Sequence, residues 1–477
     1  MGNFIDSDLI YDLKRQAKNI LNKNIYEDGE DCGYTAASGK LNLPGKDSQW
    51  LYPFQWLWDT FFICAWNTNA QQSIIDAKKF LNSQQSNGFC GHIRYNRQII
   101  NNGSYFPPTH IYFSDGKIPE TGELISKITQ PPNIGYGLYE LTKKLDLNER
   151  NTRELTDLYN KAIKLHRYIY TNRVIDGCMV TIHPWEAGDD NSAKWDPIYK
   201  EIEKQTQQKG ELKEIVINWL KSLGINYDRV DTEIISAEQR PVDPHYYIYL
   251  FLIYLYGQWN WDEKTIIEQS PFRVIDPMTN AILLRSNIDL IRMGKKLKIL
   301  DRKTEKELNS WITQTTNGLE NLWSEKHNLY LTKNLVNNSL IEVETVSGLV
   351  PLFTGIIKQD RAEKIIGKIK ELEENPTINY LIPSTFPTQS EYFEPNRYWR
   401  GPVWIILNEI IAQGLILYNS KELALKIREN NLNLVINTQD EKGGFYEYFN
   451  PITGEGLGTS KQSWTAAAIL EAIKYLS

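Results

Sequence analysis

Cysteine, histidine and methionine are scarce in this chain: 4, 6 and 4 among 477 residues. The cysteines (Cys32, Cys64, Cys90, Cys178) are far apart and form no CxxC, so neither a disulfide framework nor a zinc site is indicated. The histidines (His92, His110, His166, His183, His245, His327) form no HExxH or paired spacing, so no metal is expected. Excess positive charge is also missing. With 53 Lys+Arg against 59 Asp+Glu the net charge is −6, which argues against nucleic acid or an anionic membrane as the main partner. The longest strongly apolar run, Tyr246 to Tyr256, falls short of the roughly 20 residues a transmembrane helix needs. The start, MGNFIDSDLIYDLKRQ, has no basic segment leading into an apolar one. A cytoplasmic protein is therefore expected, and a homo-oligomer is left open. The sequons at Asn102 and Asn337 would matter only on a secretory route. No GxGxxG or GxxxxGK[ST] follows a strand and opens a helix, so no nucleotide cofactor, and no cofactor of any kind, is expected.

Aromatics, by contrast, are plentiful, with 14 Trp, 27 Tyr and 15 Phe. Part of them belongs in a core; the rest cluster with polar residues in loop-like segments, where sugar sites place their rings. Helical periodicity dominates the chain. Leu155, Leu158, Tyr159, Ala162, Leu165, Tyr168 and Ile169 form one apolar stripe, and similar patterns recur near 286–299, 303–323, 345–358, 359–373, 401–418, 420–437 and 462–476. Near-even steps between the starts at 286, 345, 401 and 462 point to stacked hairpins. Six such pairs closed into a ring would make an all-α (α/α)6 barrel with a pocket at one end, and an open solenoid is the competing architecture. No Pro/Gly/Ser-rich linker divides the chain, so a single domain over 1–477 is expected. Residues 88–132 and 196–240 break the hairpin rhythm and read as lid-like insertions.

Four stretches mix aromatics with carboxylates and amides. In YPFQWLWDTFF, Trp56, Trp58 and Asp59 open an apolar helix, where Asp59 could be a cap or a ligand. In ITQPPN, Gln130 precedes a helix entry. HPWEAGDDNSAKWD places Glu186, Asp189, Asp190 and Asp196 beside two tryptophans, with Gly188 for a turn; as a surface loop the same residues would be Asp caps. YWRGPVW (Tyr398 to Trp404) and GGFYEYFNPITGEG (Gly443 to Gly456) add an aromatic wall and Glu447, flanked by Phe445, Tyr446, Tyr448 and Phe449. Two carboxylates in aromatic surroundings are the minimum equipment for cleaving a glycosidic bond, one as acid and one activating water. Burial would keep the acid protonated near neutrality.

Taken together, these four segments resemble the (α/α)6-barrel enzymes of glycoside hydrolase family 63, and within it those that hydrolyse mannosylglycerate and glucosylglycerate. The resemblance runs from about Tyr52 to Trp464. It implies an inverting α-glycosidase with Asp190 as general acid and Glu447 as general base, about 6.5–9.5 Å apart to admit one water. The adjacent Asp189 leaves some ambiguity over the acid. The sugar pocket implied by the resemblance comprises Trp56, Trp58, Asp59, Gln130, Tyr398, Trp399 and Trp404. Arg240, Tyr246, Tyr52 and Gln462 match the residues that hold glycerate, a task suited to the planar fork of an arginine; an ordinary surface ion pair is the other reading of Arg240. Ala187 and Ala193-Lys194 depart from the family's Ser and Pro-Arg. An α-glucosidase acting on a neutral di- or oligosaccharide or on glucosylglycerol is the alternative. A sugar epimerase or a binding protein that has lost catalysis fits less well, since both carboxylates are present and the histidines do not cluster in the motifs.

Overall fold

The computed structural model describes residues 7–27, 33–41, 49–101, 107–113, 116–207, 211–438 and 444–476. Cys32, the Asn102 sequon and Gly443 lie outside them. Among the described residues, six helical segments are largely buried, and three of them have sequences that lack a polar face. Leu57–Trp66 (LWDTFFICAW) has every residue buried, as does Ser463–Ile473, and Ile405–Leu417 nearly so. Together with Ile134–Lys144, Pro277–Lys296 and the 3-10 segment Val350–Thr354 they pack in sequence, each on the next, and the last returns to the first. That closure separates the ring from an open solenoid.

Amphipathic helices form the outer layer. Ala70–Asn82, Glu149–Asn172, Arg302–Glu320 and Lys421–Asn437 each pack on an inner helix, and Ser7–Lys23 packs on Ser463–Ile473, so the first helix pairs with the last. The stripe from Leu155 to Ile169 is buried as its spacing requires. Gln359–Glu373 turns Ala362, Ile365, Ile366, Ile369 and Leu372 into the same core as Leu349 and Leu352. Asn148, Asp276 and Asp301 cap their helices by accepting bonds from Asn151, Thr279 and Lys303/Thr304 N–H groups.

Two expected boundaries differ. The helix expected over 345–358 is instead two 3-10 turns, Val346–Gly348 and Val350–Thr354. Pro351 interrupts the donor ladder, and Gly355, at φ 70°, ends the segment. The helix expected from 286 begins at Pro277, because residues 277–285 are buried all round and show no apolar stripe. The described parts of the two insertions gather over one end of the ring. Ile93–Tyr95 forms the middle of a three-stranded antiparallel sheet with Gln55–Trp56 and Leu124–Ile125, while Asp196–Gln207 and Leu212–Ser222 pack on Asp243–Gln258. The apolar run from Tyr246 lies in that last helix, and among the described residues no helix is long and apolar enough to cross a membrane.

Candidate active site

The loops at that end enclose a cavity of about 1060 Å³, counting its open mouth. Twelve of the thirteen residues singled out in the sequence line it: Tyr52, Trp56, Trp58, Asp59, Gln130, Asp190, Arg240, Tyr246, Tyr398, Trp399, Glu447 and Gln462. Trp404 does not reach the cavity. It stacks flat behind Trp399, with ring centroids 3.6 Å apart, and donates from Nε1 to the Tyr398 carbonyl at 3.0 Å. Both rings were expected to line the pocket; Trp399 does, and Trp404 lies behind it.

The HPWE segment is a short helix, Pro184–Ala187, capped by His183 and ended by Gly188 at φ 81°. Gly188 is required twice over, since a Cβ there would sit 2.6 Å from the Trp58 ring. Of the segment's carboxylates only Asp190 faces the cavity. Glu186 is fully buried, pairs with Arg173 at 2.6 Å and accepts from Ile182 N–H and Thr129 N–H, tying this loop to the one that carries Gln130. Asp189 turns inward to Lys194 at 2.7 Å, and Lys194 also pairs with Asp276 at 2.6 Å. Lys194 and its hydrogen bonds outweigh burial at Asp276 and hold it below the usual carboxylate range, whereas burial pushes Asp189 up to about 8. Asp196 forks onto Arg400 at 2.7 and 2.8 Å, and Asn191 accepts from Trp399 N–H at 3.0 Å. The acidic segment is thus bolted to YWRGPVW.

Asp190 itself is anchored through its backbone. Its carbonyl accepts from the hydroxyls of Tyr199 at 2.5 Å and Tyr249 at 2.9 Å, which leaves the side chain to the cavity. Burial raises its carboxyl to about 7, with Glu447 and Asp231 pushing the same way and Arg240 opposing. Glu447 lies just before a hairpin, Tyr448–Phe449 with Gly456–Leu457, that is pinned to Val403 by a further bridge. Burial raises Glu447 as well, but Arg240, the Tyr52 hydroxyl, Thr459 N–H and the Tyr398 hydroxyl all favour its charged form. Gly458 lets the hairpin close on this side chain, for a Cβ there would lie 2.5 Å from Glu447 Oε2.

Arg240 is buried rather than at the surface. Its Nε donates to Asp231 Oδ2 at 3.1 Å, Nη1 lies 3.7 Å from Glu447 Oε2, and the guanidinium sits 4.3 Å above the Tyr398 ring. Asp59 is in the first turn of its helix but does not cap it; burial raises its carboxyl to about 8. Gln130 accepts from Trp58 N–H at 3.3 Å, so its NH2 is what it can offer a ligand. Sequence reasoning missed His92, Tyr112, Trp185, Asp231 and Trp464, which also line the cavity. Trp185 and Trp464 stood beside recognised motifs, and His92 is neutral, held against Ser126 Oγ at 2.5 Å. Asp231 carried no local signal at all.

A ring of helical hairpins whose loops set two buried carboxylates in an aromatic cavity has the construction of a barrel-type glycoside hydrolase. Residues 52–465 match the family described as the mannosylglycerate hydrolase MGH1-like glycoside hydrolase domain, and the chain belongs to that family. It is 34% identical to a mannosylglycerate hydrolase of Thermus thermophilus, over 88% of this chain and 94% of that one. It is 28% identical to a glucosylglycerate hydrolase of Mycolicibacterium hassiacum, over 88% and 92%. The crystal structure of a GH63 mannosylglycerate hydrolase from Thermus thermophilus in complex with Tris and D-glycerate superposes with a TM-score of 0.80 at 31% identity, covering 96% of this chain and 99% of that one.

Proposed function

We propose that this protein is an inverting α-glycosidase that hydrolyses glucosylglycerate, mannosylglycerate or both to free sugar and glycerate. Asp190 donates its proton to the glycosidic oxygen as that bond breaks, while Glu447 takes a proton from the water that attacks the opposite face of the sugar. The observation that carries this assignment is the unlike surroundings of two carboxylates in one cavity. Burial raises both carboxyls and Arg240 opposes it at both, but Glu447 has in addition the Tyr52 and Tyr398 hydroxyls and Thr459 N–H favouring its charge, while Asp190 stays protonated up to about pH 7. Trp56, Trp58, Asp59, Gln130, Tyr398 and Trp399 hold the sugar, with Trp404 bracing Trp399 from behind. Arg240, Tyr246, Tyr52 and Gln462 hold the aglycone, and Arg240 Nη1, which makes no hydrogen bond and has Glu447 Oε2 at 3.7 Å, is the donor offered to a carboxylate.

In this reading the chain is one catalytic domain, and segments 88–132 and 196–240 close over bound substrate to exclude competing water. The enzyme works in the cytoplasm, in keeping with the free, buried Cys64, Cys90 and Cys178. One observation favours a neutral aglycone instead, such as glucosylglycerol or a glucosyl disaccharide: Arg240 already has Asp231 and Glu447 as anionic neighbours. Sugar release from glucosylglycerate, mannosylglycerate, glucosylglycerol, trehalose and kojibiose decides between the two. The glycerate reading expects turnover of the glycerates and a much larger loss on them than on neutral glucosides in Arg240→Ala. Turnover of neutral glucosides alone, or equal losses on both kinds, would discard it.

A further inference from the structure

Asp231 stands on the cavity wall in a place the catalytic assignment does not use. It comes from the short helix Val230–Ile234 of the second insertion, and its side chain is only 11% exposed. Its carboxylate takes a fork from Arg229, Nε to Oδ1 at 3.1 Å and Nη2 to Oδ2 at 2.7 Å. The same Oδ2 accepts from Arg240 Nε at 3.1 Å, with the Tyr246 hydroxyl 3.5 Å away. Arg229 is in turn held by Asp243 at 3.0 Å and lies 3.8 Å above the Tyr246 ring. Asp231 therefore joins a structural arginine, which does not line the cavity, to the arginine that faces Glu447. Burial works against its ionisation, but Arg240 and Arg229 outweigh that and hold it below the usual carboxylate range, so it is charged throughout the working range.

Two consequences follow from this geometry. Taking Nε fixes which edge of the Arg240 guanidinium is presented, since that group has five donors in a rigid plane. The fixed negative charge beside Arg240 also offsets the attraction Arg240 exerts on any anion in the cavity, and it reaches Asp190 as well. The groups facing Arg240 from its surroundings are Asp231, Glu447, Asp190, Tyr52, Tyr246, Tyr398 and Tyr448, so among the described residues Asp231 is the charged partner that is not itself assigned to the chemistry.

We propose that Asp231 is a positioning residue that acts through Arg240, fixing its orientation and moderating its charge so that the cavity accepts an aglycone with a single carboxylate. The choice of aglycone rests on the function proposed above; the hold on Arg240 does not. The variant Asp231→Asn keeps an oxygen for Arg240 Nε and removes the charge. Two readouts, both independent of the fraction of enzyme folded, test it: the ratio of kcat/KM on glucosylglycerate to that on glucosylglycerol, and the alkaline limb of kcat against pH.

In D231N the ratio is expected to rise about tenfold, as an anion next to Arg240 loses its competitor. Because the negative charge of Asp231 raises the Asp190 pKa, its removal moves the alkaline limb to lower pH. In an Arg240→Gln background the change in ratio should vanish, the signature of an effect transmitted through Arg240. An unchanged ratio and limb in D231N, or the same change in ratio without Arg240, would overturn the proposal. If the wild-type enzyme turns over neutral glucosides only, the proposed substrate falls, and the limb measured on a neutral substrate still decides the role of Asp231: a shift sustains it and no shift ends it.

Discussion

Gly458 offers the sharpest test of how tightly Glu447 is held, because it touches no bond-making atom itself. A Cβ at this position would lie 2.5 Å from Glu447 Oε2, 2.7 Å from Tyr448 Cε1 and 2.9 Å from Glu447 Cβ. Ordinary contact begins near 3.4 Å, so in Gly458→Ala the carboxylate or the hairpin must yield by about 0.9 Å. A displacement of about 1 Å in a catalytic group can cost on the order of 100-fold in rate, here read in kcat with KM changed far less. The backbone adds its own penalty: at φ 70° an alanine is disfavoured by about 1–2 kcal/mol. In a protein of this size, with an unfolding entropy of about 2.1 cal/mol/K per residue, that lowers the melting temperature by only about 1–2 °C and leaves the enzyme folded at 25 °C. Steady-state kinetics on the purified variant, with its melting curve alongside, separates the two effects. A variant with wild-type kcat would refute the argument that Gly458 exists to let the hairpin close on a base.

The remaining predictions concern charge. The rate should fall above about pH 7, as Asp190 loses its proton, and Asp190→Asn should abolish turnover while preserving substrate binding; substantial activity in D190N would remove Asp190 from its role. The raised pKa also fixes the sign of a stability effect. Between about pH 4 and 7 the native state binds the Asp190 proton more tightly than the unfolded chain, so wild-type stability declines as pH rises through that window. D190N should accordingly melt higher than wild type, by a margin that widens from pH 5 to pH 8, and a margin independent of pH would contradict this. Glu186→Leu leaves Arg173, 1% exposed, with Glu263 as its remaining anion, and should destabilise the fold by about 3 kcal/mol in urea titrations. An unchanged urea midpoint would show that Arg173 is satisfied without Glu186.

Several of these positions were legible in the sequence because the physics that marks them is local. The outer helices announce themselves by an apolar stripe, as at Leu155 to Ile169, and the HPWE and FYEYF segments concentrate rings and carboxylates, and YWRGPVW rings, that a solvated loop has no use for. What escaped is what depends on how the folded chain brings side chains together. Residues 277–285 hide a helix start because burial on every side erases the stripe, and Val350–Thr354 takes its place in the ring as a 3-10 turn that no 3.6-residue pattern describes. Trp399 and Trp404 are chemically alike, and the stacking that puts one behind the other is decided by Tyr448 and Trp464 across the fold. Asp231 sits in a charged stretch with no motif, and its meaning appears only when Arg229 and Arg240 close around it. Among the four carboxylates of HPWEAGDDNSAKWD, composition could not tell the one that faces the cavity from the three that brace the loop with Arg173, Lys194 and Arg400.

The claim on which everything else depends is that Asp190 and Glu447 act from opposite faces of one α-linked sugar. Proton NMR of the sugar released from glucosylglycerate in the first minutes, before mutarotation mixes the anomers, tests it most directly. The account predicts that β-glucose appears first and that Glu447→Gln releases none. Release of α-glucose first would show retention and contradict a water activated by Glu447.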